Sequence, residues 1–236
     1  MMALLEIQVV CPHCGDFHVI RNGTKGYSDV QNYHCQGCSK QFILDRDKIY
    51  QGCKTGISDK IKKLLVRGNG ISDISKIEGI SVSKVLSVIA SLEINLTPQS
   101  DYYDILEVDE LWSYVGSKDQ KRWLLYAYHR ETGEIVAWVW GKRDTKTARK
   151  LRAKLNKLGL KYHTIVSDNW KSFIKAFEED NHLVGKQFTS GIEGNNCRIR
   201  HRMKRLFRKS CCFSKKEENH YKIFDLVAQY INLGYV

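Results

Sequence analysis

The sequence predicts an α+β chain of several domains, and three observations carry that prediction. Two Cys-x-x-Cys pairs lie within residues 1–50, three short helical patterns occupy residues 56–94, and strand and helix patterns alternate across residues 104–236. The segment between them, residues 95–103, includes Pro98, one of only two prolines, and reads as the linker.

The first element is a metal module. Cys11-Pro12-His13-Cys14 is followed after twenty residues by Cys35-Gln36-Gly37-Cys38. Each pair can clasp one edge of a tetrahedral ion, so a zinc ribbon with Cys11, Cys14, Cys35 and Cys38 as ligands is expected. Gly15 and the Gly37 turn let the backbone fold back on the thiolates, and Tyr33 and Phe42 supply a small core. His13 and His34 could replace a cysteine as ligand, but solvent-exposed histidines are the expectation. A module of this size buries little surface, so bound Zn²⁺ is expected to supply its folding energy. Cys53, Cys197, Cys211 and Cys212 have no partner spacing and read as free thiols.

The second element is helical. Ser58 can cap a helix carrying Ile61, Leu64 and Leu65; Ser72 opens a second with Ile74 and Ile77, closing at Gly79. Ser81 or Ser83 opens a third, with Val85, Leu86, Ile89 and Leu92 on one face. A short second helix, a Gly turn and a longer amphipathic third helix predict a helix-turn-helix, with Lys84 on the recognition helix as a DNA-contact candidate. Any three small helices around a core would show the same pattern.

The third element begins with three strands, at Asp104–Val115, Arg122–Arg130 and Ile135–Trp140, joined as an antiparallel meander. A basic helix over Thr145–Leu158, a strand over Tyr162–Ser167 and a helix over Trp170–Glu179 follow. Meander then αβα is the RNase H-like order, with a mixed sheet. A carboxylate in the middle of a half-buried strand is costly unless something binds it, which draws attention to Asp109. Asp168 ends a strand, where it could also cap the next helix. Glu193 opens a helix expected over Ile192–Arg208, with Ile192, Ile199, Met203 and Leu206 buried. Three carboxylates of this kind could hold two Mg²⁺ ions for phosphoryl displacement. Glu107 and Glu110 compete with Asp109, and since periodicity places Glu107 and Asp109 on one face, the local pattern does not choose.

Charge points to the partner. The chain carries a formal +12, and residues 196–216 hold five Arg and four Lys with no acid. Cations in that density favour a nucleic acid through counterion release. No run of about 18 apolar residues occurs, so no membrane helix is expected. The start, Met1-Met2-Ala3-Leu4-Leu5, lacks the basic leader and apolar stretch of a secretory signal, so a reducing compartment is expected.

At these blocks the chain resembles the insertion sequence 1 family of transposases over essentially its full length. The resemblance rests on the Cys pairs, Val108-Asp109-Glu110-Leu111-Trp112, Ser167-Asp168-Asn169-Trp170 and the His182, Lys186, Thr189 series. It rests further on Ile192-Glu193-Gly194-Asn195-Asn196-Cys197-Arg198-Ile199-Arg200, Arg205-Leu206-Phe207-Arg208-Lys209 and Phe213-Ser214-Lys215-Lys216.

The resemblance implies an Asp-Asp-Glu catalytic triad at Asp109, Asp168 and Glu193, holding Mg²⁺ or Mn²⁺, with twenty-four residues between the last two. It also implies cleavage at element ends and transfer of the freed 3′-hydroxyl to target DNA. Asn196, Arg198, Arg200, Arg202, Arg205, Arg208 and Lys209 would then hold the DNA backbone. One departure is Gly194, where family members often carry Arg. Double-stranded DNA as partner, at least a dimer on it, no membrane, and a cytoplasmic, nucleoid-associated location in a prokaryote are the accompanying expectations. Two rivals are a zinc-ribbon repressor that does not cut and a nuclease or resolvase that does not join.

Overall fold

The computed structural model describes residues 8–24, 30–44, 52, 55–206 and 212–236. The chain divides into two units, Met1–Lys54 and Thr55–Val236. In the first, strands β1 (Val19–Thr24), β2 (Gln31–Cys35) and β3 (Gln41–Ile43) form an antiparallel sheet in that order. Cys11, Cys35 and Phe42 are its buried centre, and Tyr33 stacks on Phe42 at 5.8 Å, so the aromatic pair fills the expected place.

The second unit begins with α1 (Ile57–Leu65), α2 (Ile71–Glu78) and α3 (Val82–Ala90). The start signals are partly corrected. Gly56, in the left-handed conformation, precedes α1, so Ser58 lies inside the helix. Gly70 precedes α2, with its N–H donating to the Asp73 carboxylate, so Ser72 is also internal. Ser81 caps α3 as expected, its Oγ accepting the Lys84 N–H at 3.1 Å.

The sheet of this unit has β4 (Tyr102–Tyr114), β5 (Lys121–His129), β6 (Glu134–Gly141), β7 (Lys161–Ser167) and β8 (His182–Val184). Its order is β6-β5-β4-β7-β8; the first three strands run antiparallel, and β7 and β8 run parallel to β4. A mixed α+β sheet is thus present, with the meander and the αβα run in the expected sequence. The crossover from β6 to β7 is α4 (Thr145–Lys157), capped by Asp144, which accepts the Thr147 N–H at 2.8 Å. Three helices follow: α5 (Lys171–Ala176), α6 (Ser190–Arg202) and α7 (Glu217–Leu233).

Alternation along β4 and β5 gives each sheet face its own core. Leu106, Val108, Leu125 and Ala127 pack with Ala148, Leu151 and Leu155 of α4 and with Phe173 of α5. Leu111, Leu124 and Tyr126 point the other way, into a core shared with Ile192 and Ile199 of α6, Phe224 and Val227 of α7, and Ile61, Ile74, Val85 and Ile89 of α1–α3. The three small helices therefore share one core with the sheet. The 95–103 segment is held down as well: the Gln99 N–H donates to Glu134 and the Lys161 N–H to the Asp101 carbonyl.

Two helices are shorter than the sequence pattern suggests. The one expected to reach Glu179 ends at Ala176. The one expected to reach Arg208 ends at Arg202, where Met203 leaves helical geometry (φ −121°, ψ 82°) and turns inward. Met203 and Leu206 are still buried, as expected, but from the turn after the helix. Arg208 and Lys209 lie outside the described residues. No helix among the described residues is long and apolar enough to cross a membrane.

Candidate active site and metal centres

Register brings the first two acids together. The parallel ladder between β4 and β7 ends at the pair Val108–Ser167. Asp109 and Asp168 are the next residues on each strand, so both carboxylates stand at the same sheet edge. Beyond that pair β7 no longer covers β4, and Glu110 reaches the same space. One carboxylate oxygen from each of Asp109, Glu110 and Asp168 lies within 4.8 Å of the others. Glu193, on the exposed first turn of α6, is outside that 4.8 Å group.

Asp109 is held from two sides. Its Oδ1 accepts the Glu110 N–H at 2.8 Å and its Oδ2 accepts Asn196 Nδ2 at 2.6 Å. Asn196 is in turn fixed by Tyr126, whose hydroxyl donates to Oδ1 of the amide at 2.7 Å. Burial, reinforced by the Glu110 and Asp168 charges, pushes the Asp109 carboxyl up to about 7. Burial also raises Glu110, against the pull of Arg143. Asp168 accepts the Trp170 N–H at 3.1 Å, so the expected contact at the start of the next helix is present alongside its place in the acidic group.

The start of α6 is stitched to the sheet by Glu107. Its Oε2 accepts the Ile192 N–H at 2.6 Å and its Oε1 accepts Arg130 Nε at 2.6 Å. Arg130 Nη2 donates to the Phe188 carbonyl and to Ser190 Oγ, both at 3.1 Å. Glu107, a rival for the acidic site in the sequence, is thus committed to anchoring α6. That anchor leaves Glu193 one helical turn from the amide that grips Asp109.

The basic residues separate. Arg198 is exposed, with Nη2 donating to the Gly133 carbonyl at 3.2 Å, and Lys84, Arg200 and Arg202 are half-buried. Arg202 lies over the Tyr230 ring at 4.8 Å. Two expectations need correction. Asn196 is only 6% exposed and spends its amide on Asp109 and Tyr126, so it orients the acid and is not free for the DNA backbone. Arg205 is also only 6% exposed; its guanidinium reaches Ser214 and its carbonyl accepts Ser113 Oγ, which places it in the interior. Arg130 and Arg143 escaped the sequence reading, since no local signal ties them to acids far away in the chain.

In the other unit the four cysteines form a closed cage. Cys11 and Cys38 Sγ atoms are 3.7 Å apart, Cys14 and Cys35 Sγ atoms 3.6 Å, and all four fall within 4.8 Å. A tetrahedron of sulfurs around zinc at about 2.3 Å has edges of about 3.8 Å, so the cage fits that ion. The His13 N–H donates to Cys11 Sγ at 3.4 Å, as a thiolate ligand requires.

Residues 104–235, more than half of the chain, match a family model described as IS1 transposase. The chain belongs to the IS1 transposase family. Among its relatives, the insertion element iso-IS1n protein InsB of Shigella dysenteriae is 45% identical over 119 residues, 50% of this chain and 89% of that protein. The insertion element IS1 2 protein InsB of Escherichia coli is 34% identical over 143 residues, 61% of this chain and 83% of that protein. A solved simian T-cell lymphotropic virus intasome complex overlaps at a TM-score of 0.38 and 14% identity, over 72% of this chain and 64% of that one, a likeness too slight to bear on the site. For this IS1-family transposase, the acids at the end of β4 and β7 lie inside the matched region, as does α6.

Proposed function

We propose that this transposase binds the terminal inverted repeats of its insertion sequence, cuts one strand at each end in a divalent-metal-dependent reaction, and joins the freed end to target DNA. The observation that carries the proposal is the convergence of Asp109 and Asp168 at one sheet edge, beneath a helix that bears Glu193 and grips Asp109 through Asn196. Catalysis is assigned to Asp109, Asp168 and Glu193, in an RNase H-like domain over residues 104–236. A zinc ribbon over 1–50 and a helix-turn-helix over 56–94 are assigned to DNA reading.

Asp109 and Asp168 would hold Mg²⁺ or Mn²⁺, with Glu193 closing the site from α6; the bound ion supplies charge stabilisation at the phosphoryl oxygens. The carboxylates of Asp109, Glu110 and Asp168, crowded into half-buried space with Asp109 raised to about 7, are a donor set suited to such an ion. The chain's own residues do the positioning. Asn196 and the Glu110 N–H orient Asp109, while Glu107 and Arg130 hold the start of α6, the helix that carries Glu193. Arg198, Arg200, Arg202 and Lys84 are assigned to phosphates along the DNA, where they set register and carry no sequence information. Cys11, Cys14, Cys35 and Cys38 would hold a structural Zn²⁺. At least a dimer on DNA is expected, since two ends must be joined, and action at the nucleoid in a prokaryotic cytoplasm is the location that role implies.

A strand-transfer assay with labelled element ends and Mg²⁺ tests the reading. Asp109→Ala, Asp168→Ala and Glu193→Ala should each lose cutting and joining by at least about a thousandfold while end binding persists. Unchanged cleavage in any variant removes that residue from the triad. End binding without cleavage by the unaltered protein would instead identify a repressor, and cleavage without joining a nuclease.

A further inference from the structure

The residue that the triad leaves over is Glu110. Its side chain is only 7% exposed, and both donors of Arg143 converge on one of its oxygens: Nε and Nη2 reach Oε1 at 2.9 and 2.7 Å. An arginine usually forks across both oxygens of a carboxylate. Here the fork closes on Oε1 alone, and Oε2 is buried with no hydrogen-bond partner among the described residues. A buried carboxylate oxygen without a partner is costly, and it calls for a ligand. Glu110 supplies one oxygen to the group that spans only 4.8 Å with Asp109 and Asp168.

Arg143 cannot readily swing across to neutralise the other two acids. Its guanidinium rests 5.2 Å from the Trp123 ring centroid and 4.8 Å from that of Trp170, and those contacts add to its tie to Glu110.

We propose that Glu110 is a further metal-facing carboxylate of this site: Oε2 completes the divalent-cation site begun by Asp109 and Asp168, and Arg143 is the positioning residue that turns it there. The proposal rests on the metal-dependent reading above. Alternation along a strand would place neighbours Asp109 and Glu110 on opposite sheet faces. They converge because β4 runs past the end of β7, which leaves that edge open to both.

The test is Mn²⁺ binding to the full zinc-loaded chain with element-end DNA, read by the loss of the free-ion electron paramagnetic resonance signal. Glu110→Gln keeps shape and an Oε1 acceptor; Glu110→Asp keeps charge but withdraws the oxygen. Both should weaken Mn²⁺ binding by about tenfold or more, with melting temperature followed in the same samples. Glu110→Asp binding Mn²⁺ as tightly as the unaltered protein would overturn the proposal, because a diffuse charge effect survives that change and a ligand does not. Asp109→Asn serves as the reference. If it loses Mn²⁺ while both Glu110 variants keep it, the metal-dependent reading stands and the role of Glu110 falls. If the unaltered chain takes up no Mn²⁺, both fall.

Discussion

At the scale of single residues, the site is set by what each acid already touches. Glu107 is satisfied by Arg130 and a helix N–H, whereas Asp109 is held but left electrostatically crowded. The carboxyl of Asp109 sits near 7 in place of the ordinary 3.8. A raised carboxyl favours the protonated folded form, so its contribution to stability is fully present below about 3.8 and is lost as pH rises through about 7. A cation must displace that proton. Mn²⁺ affinity of the unaltered chain should therefore climb by roughly tenfold per pH unit below about 7 and level off above it. Titration calorimetry across that range checks it; an affinity that does not change with pH below about 7 would mean that no such proton is displaced.

Much of this scale was illegible in the sequence. Asn196 could be placed near Glu193 by helical spacing, yet its hydrogen bonds to Asp109 and Tyr126 join residues far apart in the chain. Arg205 stands in a run of cations, and nothing in that run marks it as the buried one.

At the scale of elements, the start of α6 decides the site, and two glycines three positions apart separate its functions. Gly191 packs against the anchor: a Cβ there would lie 2.5 Å from Arg130 Nε and 2.6 Å from Glu107 Oε1. Gly194 has open space around it on the same helix. Gly191→Ala should cost about 1–3 kcal/mol by forcing the anchor apart. Gly194→Ala should stabilise by about 0.5–1 kcal/mol, because alanine loses less entropy than glycine in a helix. Urea melts of the two variants measure both signs; equal effects would show that the Glu107–Arg130 contact does not hold the helix start.

The β4-β5-β6 meander was readable because period-2 patterns and the Glu131–Glu134 turn are local signals, and the ends of these strands fall within about two residues of expectation; the three-residue β8 was too short to leave such a pattern. The end of α6 was not. No Gly or Pro stands at Met203, and the stop comes from the chain turning to bury Met203 and Leu206.

At the scale of the whole chain, the two units draw their stability from different sources. The Thr55–Val236 unit has two extensive apolar cores, one on each sheet face. The Met1–Lys54 unit has Cys11, Cys35 and Phe42 buried, with Val9, Val19, Tyr33 and Cys38 partly so. Among the described residues, two of the three that form its buried cluster are zinc-ligand candidates, and that cluster is too small to stand in for the metal. The Cys spacing made this legible from sequence alone, since ligand pairs are local while the acids of the second unit are joined only by folding. Removing zinc with a strong chelator should release one ion per chain and expose the amides of Val19–Thr24 and Gln31–Cys35 to rapid hydrogen exchange. Amides of β4 and β5 should keep their protection, and the cooperative melt of the larger unit should persist. Protection of β1 and β2 retained after full zinc loss would mean that the cysteine cage is not what folds the module. Loss of protection in β4 and β5 at the same chelator concentration would mean that the larger unit depends on the zinc as well.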